Sequence, residues 1–193
     1  MESRVLAIID IQNLFLSSRE QFGPLARVDF VKLKDLFVSE HGEDVIVDKI
    51  AYVLSSPYHD GRDFSRFLKK QGYIVFNKMA QLTTSPHDDN IHTTRSRSWS
   101  DNMVWEAMKI LPNYDEIFIV SGNGGFCSVV RAAKNDNKKV TVVSFRSSLQ
   151  AQLASEADKV VYLDKEYLYD SSSFAKKREQ QQQEIEKPTL LLD

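Results

Sequence analysis

The feature that most constrains the fold is a short apolar run that stops abruptly at a turn of small residues. The run Ile-Phe-Ile-Val at 117–120 is followed directly by Ser-Gly-Asn-Gly-Gly at 121–125. An unbroken run of β-branched and aromatic residues is typical of a strand buried on both faces of a parallel sheet. Valine and alanine pairs then recur at helical spacing over 129–133. The stretch therefore predicts a strand-to-helix crossover, with its turn at the strand end where open α/β sheets build their sites.

The same alternation of strand and helix patterns extends along the chain. Strands are predicted near 4–10, 45–54, 73–78, 115–121, 139–144 and 159–163, and helices near 11–18, 29–39, 61–71, 100–111, 125–134 and 147–155. This alternation predicts an α/β fold with a mainly parallel sheet, helices on both faces and right-handed crossovers. With 193 residues and a hydrophobic fraction of 42%, the chain supports one sizeable core. We therefore expect a single domain over 1–170 and a polar tail over 171–193.

Acidic and amide side chains lie close to the predicted ends of two of these elements. Asp10 directly follows the apolar first strand, Asn13 comes three residues later, and Asp101 and Glu106 belong to the fourth predicted helix. Each has a functional and an ordinary structural explanation. Asp10 and Asp101 can stabilise helix starts, and Glu106 can pair with Lys109 on the helix surface. Asn13 can orient Asp10 or a water molecule, or it can satisfy backbone groups in a turn.

These features together resemble the NYN domain, the LabA-like branch of the PIN-like ribonuclease superfamily. The resemblance covers most of residues 3–168: the opening strand with its Asp-x-x-Asn pair, the acidic helix entry, the Ser-Gly turn, and the strands near 138–143 and 157–164. It implies a three-layer α/β/α PIN-like (Rossmannoid) fold. It also implies a group of carboxylates at the carboxyl edge of the sheet that holds Mg²⁺ or Mn²⁺, because hard cations take oxygen ligands and activate water for phosphodiester hydrolysis.

The turn of this chain departs from the family pattern at both of its acidic positions. The family turn usually reads Ser-Gly-Asp-x-Asp-Phe, and here those two acids are replaced by Asn123 and Gly125. Asn123 keeps a neutral oxygen that can ligate a metal, whereas Gly125 supplies no side chain. The remaining candidates for catalysis and metal binding are Asp10, Asp101 and Glu106, with Asn123 as a further metal ligand. We expect Mg or Mn to be bound if the site is active, and otherwise no cofactor.

Several residues near this site are candidates for contacting RNA. Ser121 can hydrogen-bond phosphate or cap the following helix, and Gly122 allows a phosphate to approach the backbone. Arg95 and Arg97 lie in a polar stretch over 81–98, which is long for a loop and therefore either functional or mobile. These arginines can bind phosphate while a neighbouring tryptophan stacks a base, or the stretch can be an ordinary solvated loop. Asn13 completes the predicted RNA-contacting set.

Charge and cysteine content narrow the range of functions. The formal net charge is -2, so there is no overall basic character that would indicate nucleic-acid binding, and any such surface must be local. The single cysteine, Cys127, excludes an internal disulfide and is predicted to be a small buried residue rather than a nucleophile. No histidine and cysteine spacing typical of zinc is present. No apolar run has the length of a membrane span or signal peptide, and we expect a cytoplasmic protein.

The tail over 171–193 is strongly polar until its last leucines. It carries few apolar residues before Leu-Leu-Leu at 190–192, which predicts a frayed helix or a disordered segment with a short apolar end. That end can dock on a protein partner or mediate self-association. Three functions stay open: RNA binding or protein scaffolding with impaired or lost catalysis, Mg- or Mn-dependent RNA hydrolysis by a reduced carboxylate set, and nucleotide or phosphometabolite binding at the glycine turn.

Overall fold

A computed structural model describes residues 3–39, 45–55, 61–79, 82–85, 88–93 and 97–169, with the side chains of 79–100 outside the description. Strands β1 to β8 span Arg4–Asp10, Ile46–Ser55, Tyr73–Met79, Leu82–Ser85, Asp88–Thr93, Glu116–Val120, Lys139–Ser144 and Lys159–Tyr162. Helices α1 to α6 span Ile11–Phe22, Phe30–Ser39, Arg62–Lys70, Arg97–Ile110, Cys127–Asn135 and Ala151–Glu156. Short 3-10 turns occupy Leu111–Asn113, Gly124–Phe126 and Lys165–Tyr167. The predicted tail lies outside the described residues.

Six strands form one sheet in the order β3-β2-β1-β6-β7-β8, and every neighbouring pair is parallel. The chain builds one half of the sheet outward from β1, then returns to the other side of β1 and builds outward from β6. The order therefore reverses between β1 and β6. In open α/β sheets this topological switch point opens a crevice at the carboxyl ends of the strands. The predicted parallel sheet is confirmed, and its expected site is the edge where β1 and β6 end.

Hydrophobic side chains cover both faces of this sheet. Along β1, Val5, Ala7 and Ile9 point into one cluster, which also contains Leu33 and Phe37 from α2. The alternate residues of β1 point into a second cluster that includes buried residues of α4, α5 and α6: Leu6, Ile8, Met103, Ala107, Val129, Val130, Ala133 and Leu153. Alternation of side chains along a strand explains how one strand supplies both clusters. The predicted three-layer α/β/α fold is confirmed.

The polar stretch over 81–98 contains regular structure that the sequence did not predict. β4 and β5 form a separate antiparallel pair, in which Thr83 lies opposite His92. α4 begins at Arg97, three residues before the predicted start near 100. Antiparallel pairing depends on backbone hydrogen bonds, and two strands with polar side chains can make them without an apolar pattern. The interpretation of this stretch as a loop was therefore wrong for the residues of β4, β5 and the start of α4.

The described helices are also too short or too polar to cross a lipid bilayer.

Candidate functional site at the sheet switch point

Asp10 and Ser121 meet where the two central strands end. Ile9 lies opposite Val120 in the β1–β6 register, so the following residues on the two strands are neighbours at the carboxyl edge. Asp10 is 2% exposed and Ser121 is fully buried. The Ser121 hydroxyl donates a hydrogen bond to Asp10 Oδ2 at 3.2 Å. The structure thus brings together two of the predicted site residues, and it holds the Asp10 carboxylate in a defined position.

The Asp10 carboxylate also begins the next helix. Its Oδ1 accepts a hydrogen bond from the backbone N–H of Asn13 at 3.0 Å, as an N-cap residue of α1 does. An N-cap carboxylate satisfies one of the free N–H groups of the first turn and interacts favourably with the helix dipole. The structural role that the sequence offered for Asp10 is therefore present in the molecule. This capping role is compatible with the predicted catalytic role of Asp10, because each carboxylate oxygen has a second lone pair that can accept another bond.

Asn13 joins α1 to the glycine turn. Its Oδ1 accepts a hydrogen bond from the backbone N–H of Gly122 at 2.9 Å and lies 3.4 Å from the Ser148 hydroxyl. The carbonyl of Gly122 in turn accepts the N–H of Gln150 at 3.0 Å. This contact confirms that Asn13 satisfies a backbone group in the turn, and its predicted role in orienting Asp10 or a water molecule stays a prediction. The turn is consequently fixed on one side by α1 and on the other by the segment that follows β7.

Gly122 occupies a position that no side chain can share. A Cβ built at Gly122 would lie 2.2 Å from the backbone oxygen of Ser148. Backbone atoms cannot move away as a flexible side chain can, so glycine is required here by close packing. The same packing buries Gly122, and its N–H is already bonded to Asn13. The predicted phosphate contact at Gly122 stays a prediction.

Asn123 uses its side-chain oxygen to cap the 3-10 turn over Gly124–Phe126. Its Oδ1 accepts the N–H of Gly125 at 3.0 Å, and its own N–H donates to Ser121 Oγ at 3.2 Å. Gly125 itself is exposed, and a Cβ built there would lie 3.4 Å from Asn123 Oδ1, its nearest neighbour. The missing acid at position 125 is therefore not excluded by packing. There is room for a Cβ atom at this exposed position, and the chain carries none.

The two acids of α4 lie on the more exposed part of that helix. Met103 and Ala107 are buried against the sheet, whereas Asp101 is exposed. Glu106 Oε1 lies 3.1 Å from Lys109 Nζ, and the Glu106 side chain is 47% exposed. The predicted pairing of Glu106 with Lys109 is thus confirmed. Such an exposed pair contributes little to stability and leaves the Glu106 carboxylate accessible to solvent.

Tyr52 links Glu106 to the strand beside Asp10, and sequence reasoning missed it. Tyr52 on β2 is in register with Asp10 and is 3% exposed. Burial, together with the smaller effect of the negative charge of Glu106, raises the pKa of the Tyr52 hydroxyl to about 12. Glu106 therefore acts electrostatically on the strand adjacent to Asp10. A tyrosine among the apolar residues of β2 was the available signal, because a polar atom in a buried strand needs a partner.

Two serines that were not predicted complete the edge. Ser144, the last residue of β7, is fully buried, and its hydroxyl lies 3.2 Å from that of Ser148. Ser148 also lies within hydrogen-bonding distance of Asn13, so the ends of β1, β6 and β7 share one polar network. A serine at the end of an apolar strand is the signal that points to Ser144. Ser148 belongs to a loop, and only the folded chain places it here.

The described residues do not provide the group of ligands that the implied metal ion needs. There, no three His, Cys, Asp or Glu side chains lie where they could jointly hold a metal ion. Of the predicted metal ligands, Asp10 is buried at the switch point and Asn123 is a neutral amide whose oxygen caps a turn. Mg²⁺ in proteins is usually bound by carboxylates together with waters or substrate phosphates. The described residues at the switch point do not bring such a group of carboxylates together.

The two arginines predicted to bind phosphate are only partly placed. Arg95 lies outside the described residues, and Arg97 is the first residue of α4, with its side chain outside the description. Both roles stay predictions.

Cys127 is 5% exposed at the start of α5, and burial raises the pKa of its thiol. A buried thiol with a raised pKa is a poor nucleophile, which confirms its interpretation as a core residue.

Comparison with known proteins agrees with this geometry. The NYN domain family model matches residues 4–164. The chain is 24% identical over 191 residues to the low amplitude and bright protein LabA of Synechococcus elongatus, covering 97% of this chain and 96% of that protein.

A crystal structure of a Vibrio parahaemolyticus protein of unknown function superimposes with a TM-score of 0.70 at 24% identity, covering 87% of this chain and 97% of the other. That similarity shows the shared fold. The family match spans all six strands of the parallel sheet and the switch-point residues Asp10, Asn13 and Ser121. The chain therefore belongs to the NYN domain family.

Proposed function

We propose that this protein is an RNA-binding NYN-domain protein in which hydrolysis of the RNA backbone is impaired or lost. The observation that carries the proposal is the state of the glycine turn. The Asn123 side-chain oxygen accepts a hydrogen bond from the N–H of Gly125, and Gly125 supplies no side chain although a Cβ atom there would make only ordinary contacts. Among the described residues, it is Asp10 that supplies a buried carboxylate at the switch point.

The loss of these acids bears directly on the chemistry. A divalent cation that activates water must be held by several oxygen ligands, and negative ligands neutralise its charge. Replacing two carboxylates by an amide and a hydrogen atom removes two negative charges. Metal affinity depends on those charges, so we expect Mg²⁺ and Mn²⁺ to bind weakly. Without a well-held ion, phosphodiester hydrolysis loses its nucleophile and its charge stabilisation.

RNA as the ligand is supported by the family and by the form of the edge. NYN domains are PIN-like and RNA-related, and the crevice at the switch point is where such a fold takes its ligand. Gly125 is exposed in a 3-10 turn beside this crevice, where a phosphate can approach the backbone closely. We also retain Arg95 and Arg97 as proposed phosphate contacts, because both flank the start of α4.

Metal-dependent hydrolysis of RNA is a second candidate, and one observation favours it. Asp10 is kept, buried and oriented by two hydrogen bonds, and the charge of Glu106 reaches the neighbouring strand through Tyr52. In that case Asp10, Asp101 and Glu106 would form the reduced acidic set, with Asn123 as a neutral ligand. The three acids would have to approach one another when RNA and metal bind.

Cleavage and binding of one RNA separate the two candidates. End-labelled single-stranded RNA of mixed sequence is incubated with the protein and Mg²⁺, then Mn²⁺, beside Asp10→Asn protein and an EDTA control. We expect a gel-shift complex and intact RNA in every lane, with Asp10→Asn binding as the native protein does. Cleavage that requires both the metal and Asp10 would instead establish the hydrolytic function. The absence of any complex would reject RNA as the ligand.

A gain-of-charge variant tests the structural cause directly. The double variant Asn123→Asp, Gly125→Asp places an acid at both positions, and the new carboxylate at 123 can still accept the backbone N–H of residue 125 as the cap. We expect it to bind Mn²⁺ at least tenfold more tightly than the native protein by calorimetry. Gly125→Asn is the matched control, since it adds a side chain of similar size without charge. If the native protein already binds Mn²⁺ as tightly as the double variant, the proposed loss of the metal site is wrong.

A further inference from the structure

A guanidinium group lies stacked on a tyrosine ring at the carboxyl edge of the sheet. β7 ends at Ser144 and β8 ends at Tyr162, and the two residues are in register. Arg146 follows two residues after Ser144, and its guanidinium carbon lies 3.8 Å from the centre of the Tyr162 ring. Both side chains are solvent-accessible, with Tyr162 39% exposed. The pair therefore presents a flat cationic and aromatic surface at the edge that holds Asp10 and Ser121.

Within the described residues, the positive charge of Arg146 is not neutralised by an ion pair, whereas that of three other exposed arginines is. Arg4, Arg66 and Arg131 lie 3.3, 2.9 and 2.5 Å from carboxylate oxygens. Within the described ranges, no carboxylate forms an ion pair with Arg146, and its guanidinium stacks on a neutral ring instead. Stacking engages the face of the guanidinium and leaves its N–H groups at the rim free to point outward. Those donors match a phosphate in geometry and charge.

The polar network of the site connects this pair to the switch point. Ser148 lies within hydrogen-bonding distance of Ser144 and of Asn13, so the loop that carries Arg146 is anchored to the end of β7 and to α1. β8 lies three strands from β1 in the sheet order. At the usual strand spacing this is roughly 14 Å along the edge. A single-stranded nucleic acid that lies across the carboxyl edge would reach both places.

We propose that Arg146 and Tyr162 form a subsite for single-stranded RNA. Arg146 donates hydrogen bonds to a backbone phosphate, and a base stacks on the exposed surface of the guanidinium and ring pair. Recognition by stacking and charge is tolerant of sequence, so the subsite would position the strand without selecting its bases. The inference rests on the proposed RNA-binding function and assigns part of the affinity to residues outside the predicted acidic site.

Affinity measurements on four variants test the subsite. Fluorescence anisotropy with a short labelled single-stranded RNA is recorded over a series of salt concentrations for Arg146→Ala, Tyr162→Ala, Tyr162→Phe and Arg66→Ala. Arg66→Ala removes the same charge from the exposed face of α3, and Tyr162→Phe keeps the ring. We expect Arg146→Ala to bind about fivefold or more weakly and to lower the salt slope by about 0.7, the value for one phosphate contact on a single strand.

We expect Tyr162→Ala to weaken binding about fivefold or more with an unchanged salt slope, since loss of stacking costs affinity without changing ion release. Arg66→Ala and Tyr162→Phe should bind as the native protein does. If the native protein binds RNA and all four variants bind equally well, the subsite is wrong while the proposed function stands. If the native protein binds no RNA, both the subsite and the proposed function are rejected. Circular dichroism melting of each variant checks that a weakened variant is folded.

Discussion

At the switch point, three polar side chains accept hydrogen bonds from backbone N–H groups of the turn or of a helix start. Asp10 caps α1, Asn13 binds the N–H of Gly122, and Asn123 caps the turn that precedes α5. A buried donor or acceptor that loses its partner costs roughly 1–3 kcal/mol. The site residues are therefore also structural, and their substitution alters stability as well as any ligand binding. Variants for functional tests must keep these hydrogen bonds, as Asp10→Asn and Asn123→Asp can.

Gly122→Ala should destabilise the protein by about 1–3 kcal/mol, because its Cβ would lie 2.2 Å from the backbone oxygen of Ser148 and force the two segments apart. Urea unfolding measures the free energy of unfolding. Gly125→Ala is the control, since its Cβ meets Asn123 Oδ1 at 3.4 Å in an exposed turn and should change stability by less than about 0.5 kcal/mol. Equal stability of both variants would contradict the close packing of the turn.

Cys127 should react with a thiol reagent only after the protein opens. The thiol is 5% exposed, and burial raises its pKa, so both access and thiolate population are low in the folded state. Release of the chromophore from a disulfide reagent at pH 8 should be slow in buffer and complete within seconds in concentrated urea. Comparable rates in the two conditions would show that the start of α5 is open in solution.

At the scale of helices and strands, apolar periodicity predicted the elements that pack on the core. The six strands of the parallel sheet appear close to their predicted positions, and so do the described helices, because each buries residues at a strand or helix period. Two helix ends were wrong by four residues, since α1 continues to Phe22 and α6 begins at Ala151 after a turn that was predicted to be helical. β4 and β5 escaped because Thr83, Thr84 and His92 give no apolar pattern, and their pairing depends on backbone hydrogen bonds. Helix α4 begins earlier than expected for a related reason, since its first turn carries polar residues.

The site was predictable where a polar residue directly follows an apolar strand. Asp10 and Ser121 satisfy this rule, and the structure places them in contact. Tyr52 and Ser148 do not satisfy it, since one lies within a strand and the other within a loop, and their roles depend on neighbours distant in sequence. The distance from Asp101 to Asp10 also depends on how α4 packs. No periodicity in the sequence encodes that packing.

Central strands should contribute more to stability than the edge strand β3. Phe118 on β6 is 1% exposed and packs edge-on against Phe37 of α2 at 5.3 Å, whereas Phe76 on β3 is 46% exposed. We expect Phe118→Ala to lower the free energy of unfolding by about 3–5 kcal/mol. Phe76→Ala should cost about 1 kcal/mol, because roughly half of its ring stays in water. Similar urea midpoints for the two variants would contradict this difference in burial.

For the molecule as a whole, one sheet with a hydrophobic cluster on each face provides a rigid base for a variable edge. The strands supply the fold that the NYN domain family shares, and the residues just after the strands decide the chemistry. In this chain the turn carries Asn123 and Gly125, Gly122 is closely packed, and Asp10 caps α1. This combination supports the proposed function, in which the edge binds RNA while hydrolysis is impaired or lost. The tail over 171–193 offers a proposed further contact, with a protein partner or a second copy.

The stability of the whole domain should fall as the pH rises above 10, because buried tyrosines, among them Tyr52 and Tyr73, resist ionisation. Burial raises the pKa of Tyr52 from its ordinary value of 10.0 to about 12. Burial also raises the pKa of Tyr73, whose hydroxyl donates to the carbonyl of Phe30 at 2.7 Å. Above pH 10 the unfolded chain loses these protons while the folded protein keeps them, so the unfolded state binds fewer protons and the free energy of unfolding decreases.

This contribution is fully present below pH 10 and is lost as the pH rises through the folded-state value of about 12 for Tyr52. Urea unfolding at intervals from pH 8 to pH 11 should show the decrease begin near pH 10. Tyr52→Phe removes one titrating hydroxyl and keeps the ring against Phe76. The free energy of unfolding of this variant should therefore decline less steeply over the same pH range. Lysines also titrate in this range, but they do so in both proteins and cancel in the comparison. Parallel curves of unfolding free energy against pH for the native protein and Tyr52→Phe would contradict this prediction. They would mean that Tyr52 ionises as readily in the folded sheet as in the unfolded chain, so that the strand beside Asp10 is accessible to water.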